Sequence, residues 1–179
     1  SKNKIIHDKL NQCNEKLVCR GPDNKNNIEV SEKNFNFEGI FNRLAIIDLS
    51  SNANQPMVSN DKNYILMFNG EIYNHDDLRD QLIKKGYKFK SSHSDTESLL
   101  YSLIEYGENT PGMLRGQFSF IFLDKRKNVL YLCRDRLGQK PLYYFFDKET
   151  INFSSNLVSL AKYSGIDQVK ETSVFKYLN

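Results

Sequence analysis

The chain has 179 residues, 39% of them hydrophobic, with ten Tyr and twelve Phe, enough apolar material for one ordinary domain with a sizeable core. Its 25 basic and 22 acidic residues are interspersed and leave a formal net charge of +3, which argues against a nucleic-acid surface, and no apolar stretch approaches the ~20 residues of a membrane span. No signal-peptide core follows Ser1; Cys13, Cys19 and Cys133 are odd in number without a CxxC, and His7, His75 and His93 are scattered, so reduced thiols in a cytoplasmic protein are expected, without a disulfide framework or metal centre.

Residues 4–18 place Ile6, Leu10, Cys13 and Leu17 about one helical turn apart and predict an amphipathic helix. Arg20-Gly21-Pro22-Asp23 reads as a tight turn after it, and the polar, Asn-rich stretch 24–36 as a surface loop. A short strand is expected at 35–37 and a stronger one over 40–47; Arg43, between apolar flanks in that strand, would ordinarily point to solvent. Tyr64 to Phe68 is a short apolar run of buried-strand type. Asn69-Gly70 follows it directly, a common hairpin signal. An Asn amide beside a Gly N–H at a strand end can also converge on one oxygen, because Gly lets backbone approach a ligand closely.

Asn74 or Asp76 can cap a helix on which Leu78, Leu82 and Ile83 share a face, with Gly86 as its end. Ser94-Asp95-Thr96-Glu97 has the spacing of a capping box and opens a helix to about Tyr106, stopped by Gly107. Beyond it the period changes to two. Phe118, Phe120 and Phe122 alternate, as do Val129, Tyr131 and Cys133, across the polar turn 124–128, which predicts a hairpin with one aromatic, buried face. Gln117, Ser119 and Ile121 would lie on the other face, where covering helices are expected. Residues 142–146 and 151–153 suggest a second hairpin, 156–163 a helix, and Thr172 or Ser173 the cap of a last one. Antiparallel strands interleaved with a few helices, without regular β–α alternation, make an α+β fold.

Seven segments together, in order and spacing, resemble the amidotransferase domain of glutamine-dependent asparagine synthetases: Arg20 to Asp23, Arg43 to Ser50, Gln55 to Met57, Phe68 to Asn74, Ser94 to Glu97, Gly116 to Phe120 and Arg134 to Tyr144. The resemblance implies a four-layer α/β/β/α sandwich of two antiparallel sheets, the N-terminal-nucleophile (Ntn) hydrolase fold. It implies that L-glutamine is hydrolysed to glutamate and ammonia, delivered to an ATP-dependent synthetase domain that amidates aspartate or a related carboxylate. In that family an N-terminal Cys attacks the side-chain amide, with its own α-amine as general base. Residue by residue, Asn69 and the Gly70 N–H would form the oxyanion hole, Arg43 would bind the α-carboxylate, and Asp95 and Glu71 the α-ammonium.

The first departure is the start. The family opens with Cys-Gly-Ile in a strand before the first helix, whereas Ser1 falls just before that helix, and none of the three cysteines is N-terminal. The chain beginning at Ser1 is therefore expected to be inactive in hydrolysis. Cys19 stands where the family has His before the Arg20 turn, and Asn156 where it has Glu. Residues 1–172 are expected to be the amidotransferase domain and 173–179 the opening of the synthetase domain. No cofactor is expected in the first; ATP and Mg²⁺ would belong to the second. L-glutamine and that domain are the expected partners, with a homodimer as a further expectation. The alternative is a non-catalytic glutamine-binding or scaffolding domain.

Overall fold

The Asn-rich stretch after the first helix is a strand in the computed structural model, which describes residues 2–167. Strand β1 (Asn24–Ser31) pairs antiparallel with β2 (Asn36–Arg43), Asn24 opposite Arg43 and Ser31 opposite Asn36. Along β1 half-buried residues alternate with exposed ones, so the polar side chains that suggested a loop are the solvent face of a one-sided strand. The two strands expected at 35–37 and 40–47 are one, and it stops at Arg43. Beyond it Leu44, Ile46 and Leu49 are exposed, despite their apolar character. The Arg20 turn explains the stop. Asp23 N donates to Arg43 O (3.1 Å), and Ala45 N donates to Asp23 Oδ2 (2.8 Å), so a side chain takes the group a longer ladder would need.

A four-stranded antiparallel sheet has the order β3 (Met57–Val58), β4 (Tyr64–Ile72), β5 (Gly116–Asp124), β6 (Val129–Arg134). β4 continues past Phe68 to Ile72, so Asn69-Gly70 is not a hairpin turn: Asn69 pairs with Ser119, Gly70 with Phe118 and Glu71 with Gln117. Helices α2 (His75–Lys84) and α3 (Asp95–Tyr106) follow β4, with one short turn of helix, α4 (Thr110–Met113), before β5. Leu78 of α2 and Leu99, Leu100 and Leu103 of α3 pack against Leu66, Phe68, Ile72, Phe118, Phe120 and Phe122. Burial of each large apolar side chain contributes about 1.5–3 kcal/mol.

The helices thus cover the aromatic face, the reverse of the expectation that placed them over Ile121. That second face is buried too, with Ser119, Ile121 and Leu123 all enclosed. A Cβ on Gly39 of β2 would lie 2.8 Å from Met67 Sδ, which places the β1–β2 hairpin against it. Rings fill the space under α3, and the β1–β2 hairpin lies on the other side, giving a helix–sheet–sheet layering.

On α2, Leu78 and Leu82 are buried but Ile83 is exposed, so the apolar stripe is narrower than its sequence. The cap of α3 is half a capping box. Ser94 Oγ accepts from Glu97 N (3.2 Å), but the Glu97 carboxylate reaches past Ser94 to accept from Lys90 N (2.8 Å) and Ser91 N (3.0 Å).

Residues 17–142 hold all of this and make one compact unit; the flanking segments make another. In the second, α1 (Lys2–Asn14) packs with α5 (Leu157–Ser164), capped by Asn156 Oδ1 on Ser159 N (2.9 Å), and β7 (Tyr143–Asp147) pairs with β8 (Thr150–Ser154). The expected cap at Thr172 or Ser173 and the boundary at 172–173 lie outside the described residues. The α+β class with antiparallel sheets is as the sequence predicts.

After β6 the loop 134–142 folds around Asp135. Its carboxylate accepts from Leu137 N (3.1 Å), Gln139 N (3.0 Å), Lys140 N (3.0 Å) and Phe118 N (3.2 Å). Burial alone would raise its pKa; the backbone donors outweigh this and hold it at about 2. A depressed carboxyl stabilises the fold above its unfolded pKa of ~3.9, and that contribution is lost as the pH falls toward the folded value. Asp135→Asn can accept at only one atom. Its melting temperature should be lower than wild type at pH 7, with the gap closing between pH 5 and pH 2. A gap independent of pH over that range would show that the charge on Asp135 is unimportant.

Candidate functional site

Alternation along β4 sorts the predicted site residues. Asn69 and Glu71 project from the Met67 face, toward the β1–β2 hairpin, while Phe68 and Ile72 enter the helix-side core. Among the described residues the Asn69 side chain has no hydrogen-bond partner, and it is half-buried.

The backbone of β4 is equally specific. Phe118 exchanges its hydrogen bonds with Asp135, donating to Oδ2 (3.2 Å) and accepting from the Asp135 N–H (2.8 Å). Gly70 opposite Phe118 is therefore in a non-hydrogen-bonded pair, and its N–H points away from β5. The residues two before and two after point the same way, and both are occupied. Gln55 brackets Phe68, its Oε1 accepting from Phe68 N (2.5 Å) and its Nε2 donating to Phe68 O (2.9 Å). Asp95 Oδ2 accepts from Ile72 N (3.2 Å). The Gly70 N–H thus lies between two side-chain-capped neighbours, at the strand's other edge. Glycine is required there: φ is +146°, and a Cβ would lie 2.1 Å from Gln117 O.

Arg43 does not point to solvent. It leaves β2 on the same side as Phe37 and Gly39, and only 7% of it is exposed. Its Nη1 donates to Ser50 O (2.9 Å) and Asn54 Oδ1 (2.8 Å), and its Nη2 to Asp48 O. These engage three of the five N–H donors of a guanidinium. All three acceptors are neutral, and among the described residues no carboxylate lies within ion-pair distance. Asp95 is the mirror case. It opens α3, is 5% exposed, and has no cation within ion-pair distance among the described residues. Burial pushes its carboxyl up, against the N–H groups of Ile72 and Thr96 and the nearby His75. A buried cation and a buried anion, each without an opposing charge, are costly unless a ligand supplies the complements.

The structure joins these parts through residues to which sequence alone assigned no role. Asn54, held by Arg43, precedes Gln55, which holds Phe68; Asp95 holds Ile72. The stretch 68–72 is therefore suspended between the Arg43 loop and the start of α3. Gln55 belonged to a matched segment, so its place in the motif was a signal. Arg79 carried none: on α2 it looks like any surface Arg, yet it is buried and donates to Ser91 O (2.5 Å) and Ser94 O (3.0 Å), stacked over Phe89 at 4.1 Å. Gly21 in the Arg20 turn is pressed so closely on β2 that a Cβ would meet Asn42 O at 2.3 Å. A cavity of about 270 Å³ beside this assembly is lined by Asn54, Met57, Lys90, Glu97 and Tyr101, and by none of the five predicted site residues.

Residues 1–179 match the sequence profile of the glutamine amidotransferase domain. The chain is 37% identical over 170 residues to glutamine-hydrolysing asparagine synthetase 1 of Bacillus subtilis (strain 168), covering 95% of this chain and 26% of that protein. It is 32% identical over 189 residues to a putative glutamine-hydrolysing asparagine synthetase 2 of Methanocaldococcus jannaschii, covering 98% and 35%. It therefore spans about a quarter to a third of the length of these relatives. Among solved structures it resembles a glutamine phosphoribosylpyrophosphate amidotransferase from B. subtilis, with a TM-score of 0.53 and 22% identity, over 65% of this chain and 28% of that one. This last likeness is one of fold.

Proposed function

The chain belongs to the glutamine amidotransferase domain family, and from that premise we propose that residues 17–142 bind the zwitterion of L-glutamine and serve its hydrolysis to glutamate and ammonia. One observation carries the reading: Arg43 and Asp95 are both buried, neither has an opposing charge within ion-pair distance among the described residues, and both are tied to the β4 segment that holds Asn69 and Gly70. The α-carboxylate of a free amino acid completes Arg43, through the guanidinium donors that the loop does not use. The α-ammonium completes Asp95, with Glu71 on the neighbouring strand end. The side-chain amide then lies against the Asn69 amide and the Gly70 N–H, two donors for the oxygen of a tetrahedral intermediate.

The nucleophile in this reading is the family's N-terminal cysteine, and Cys13, Cys19 and Cys133 take no part in the reaction. Ammonia passes to a synthetase region of the kind the relatives' length implies, and ATP and Mg²⁺ belong to that region.

Calorimetry tests the reading. L-glutamine should bind to the chain. Arg43→Ala should weaken binding by about 30-fold or more, the usual consequence of truncating one partner of a buried charged hydrogen-bonded pair. Arg20→Ala, on the exposed turn, should bind as wild type does. Equal affinities for the two variants would remove Arg43 from the site. A folded chain that takes up no L-glutamine would favour the scaffolding alternative.

A further inference from the structure

A ligand that carries opposite charges on one carbon is recognised only if its two contacts are held at one separation. Arg43 ends β2 and Asp95 opens α3, each beside a different loop. Arg43 grips the 48–54 loop through the carbonyls of Asp48 and Ser50 and the Asn54 amide oxygen. Asp95 follows the 90–94 segment, which Arg79 grips through the carbonyls of Ser91 and Ser94. Among the described residues one side-chain hydrogen bond joins the two loops: Ser91 Oγ donates to Asp48 Oδ2 at 2.5 Å. The bond is buried, and both its ends are fully determined. Ser91 Oγ also accepts from Ser94 N (3.2 Å) and His93 N (3.3 Å), while Ser91 N donates to Glu97 Oε2 (3.0 Å). Asp48 Oδ1 accepts from Ser50 N (2.8 Å), with His93 Nε2 at 3.9 Å. Burial alone would raise the Asp48 pKa, but the hydrogen bonds from Ser91 and Ser50 hold it below the ordinary carboxylate value, so the acceptor is charged.

We propose that Ser91 is a positioning residue: through Asp48 it sets the separation of Arg43 and Asp95, and so selects ligands with a free α-carboxylate and a free α-ammonium over ligands bearing only one of them. The inference rests on the glutamine-binding reading above. It assigns Ser91 no contact with the ligand. Its hydroxyl acts through two loops, each anchored by a buried arginine, and its loss lets them relax independently.

The test compares three ligands by calorimetric titration or competition: L-glutamine, its analogue without the α-amine, and its analogue without the α-carboxylate. Ser91→Ala should bind L-glutamine about tenfold more weakly, as loss of one charge-assisted hydrogen bond would give, and the two single-charge analogues within about twofold of wild type. Ser91→Thr, which keeps the hydroxyl, should restore the preference. Asp48→Asn weakens the same bond without emptying the space, and its ligand ratios are read in the same way if Ser91→Ala does not fold. Equal loss for all three ligands, or unchanged L-glutamine affinity, would overturn the proposal while leaving glutamine binding intact. Failure of the wild-type chain to bind L-glutamine would overturn both.

Discussion

Asn69→Ala, in a protein that carries the family's N-terminal cysteine, should turn over L-glutamine about 10²–10³-fold more slowly, with its affinity for glutamine within a factor of about three. The expected split follows from when the interaction forms. The amide oxygen of bound glutamine carries little charge; the oxygen of the tetrahedral intermediate carries a full one. A donor placed for the second stabilises the transition state far more than the ground state, and its loss appears in kcat. The structure adds a reason to expect little effect on folding. The Asn69 side chain has no hydrogen-bond partner among the described residues, and its backbone is already held opposite Ser119. Removing the amide therefore orphans nothing, and stability should change by no more than ~0.5 kcal/mol. Steady-state kinetics and thermal melting on one preparation check both halves. A variant with near-normal kcat would leave the Gly70 N–H as the only assigned donor.

Gly70→Ala should fail to reach the native fold, with a cost above ~4 kcal/mol, the range reserved for severe mechanisms. Two effects add. The backbone at φ +146° is one that an L side chain avoids. The added Cβ would also stand 2.1 Å from Gln117 O and 2.7 Å from Phe118 Cα, main-chain atoms of a strand locked by β6 and by Asp135. Gly86→Ala separates the two effects. Gly86 has φ +94°, but a Cβ there would meet nothing within 4 Å, so it should show the conformational term alone, about 1–2 kcal/mol. Denaturant titration of the two variants measures the difference. If Gly70→Ala were no worse than Gly86→Ala, β5 would have to yield at Gln117, and the claim that the Gly70 N–H is rigidly presented would fall with it.

Much of this protein was legible locally. The start of α3 at Ser94 and its end at Gly107, the helix after Asn156, and the aromatic stripe Phe118, Phe120, Phe122 depend on neighbours a few residues away, and there the sequence predicts what forms. The chemical types at Arg43, Asn69, Gly70, Glu71 and Asp95 were also legible, because a zwitterion with an amide needs one cation, anions and polarised donors. What a residue faces was not. Period-two alternation says that Phe118 and Ser119 lie on opposite sides of a sheet; it does not say which side receives helices, since both sides are buried. Asn69-Gly70 has the composition of a turn, and only the arrival of β5, from far along the chain, makes it the middle of a strand. Arg43 looked like a solvent-facing strand Arg until the 48–54 loop folded over it and supplied carbonyls. The sequence by itself determined the residue chemistry, the α+β class and the family. The tertiary structure alone decided that Arg43 and Asp95 are buried with no opposing charge within ion-pair distance among the described residues, and that the Gly70 N–H points away from its neighbour strand, because burial and hydrogen-bond direction depend on pairings between segments distant in the chain.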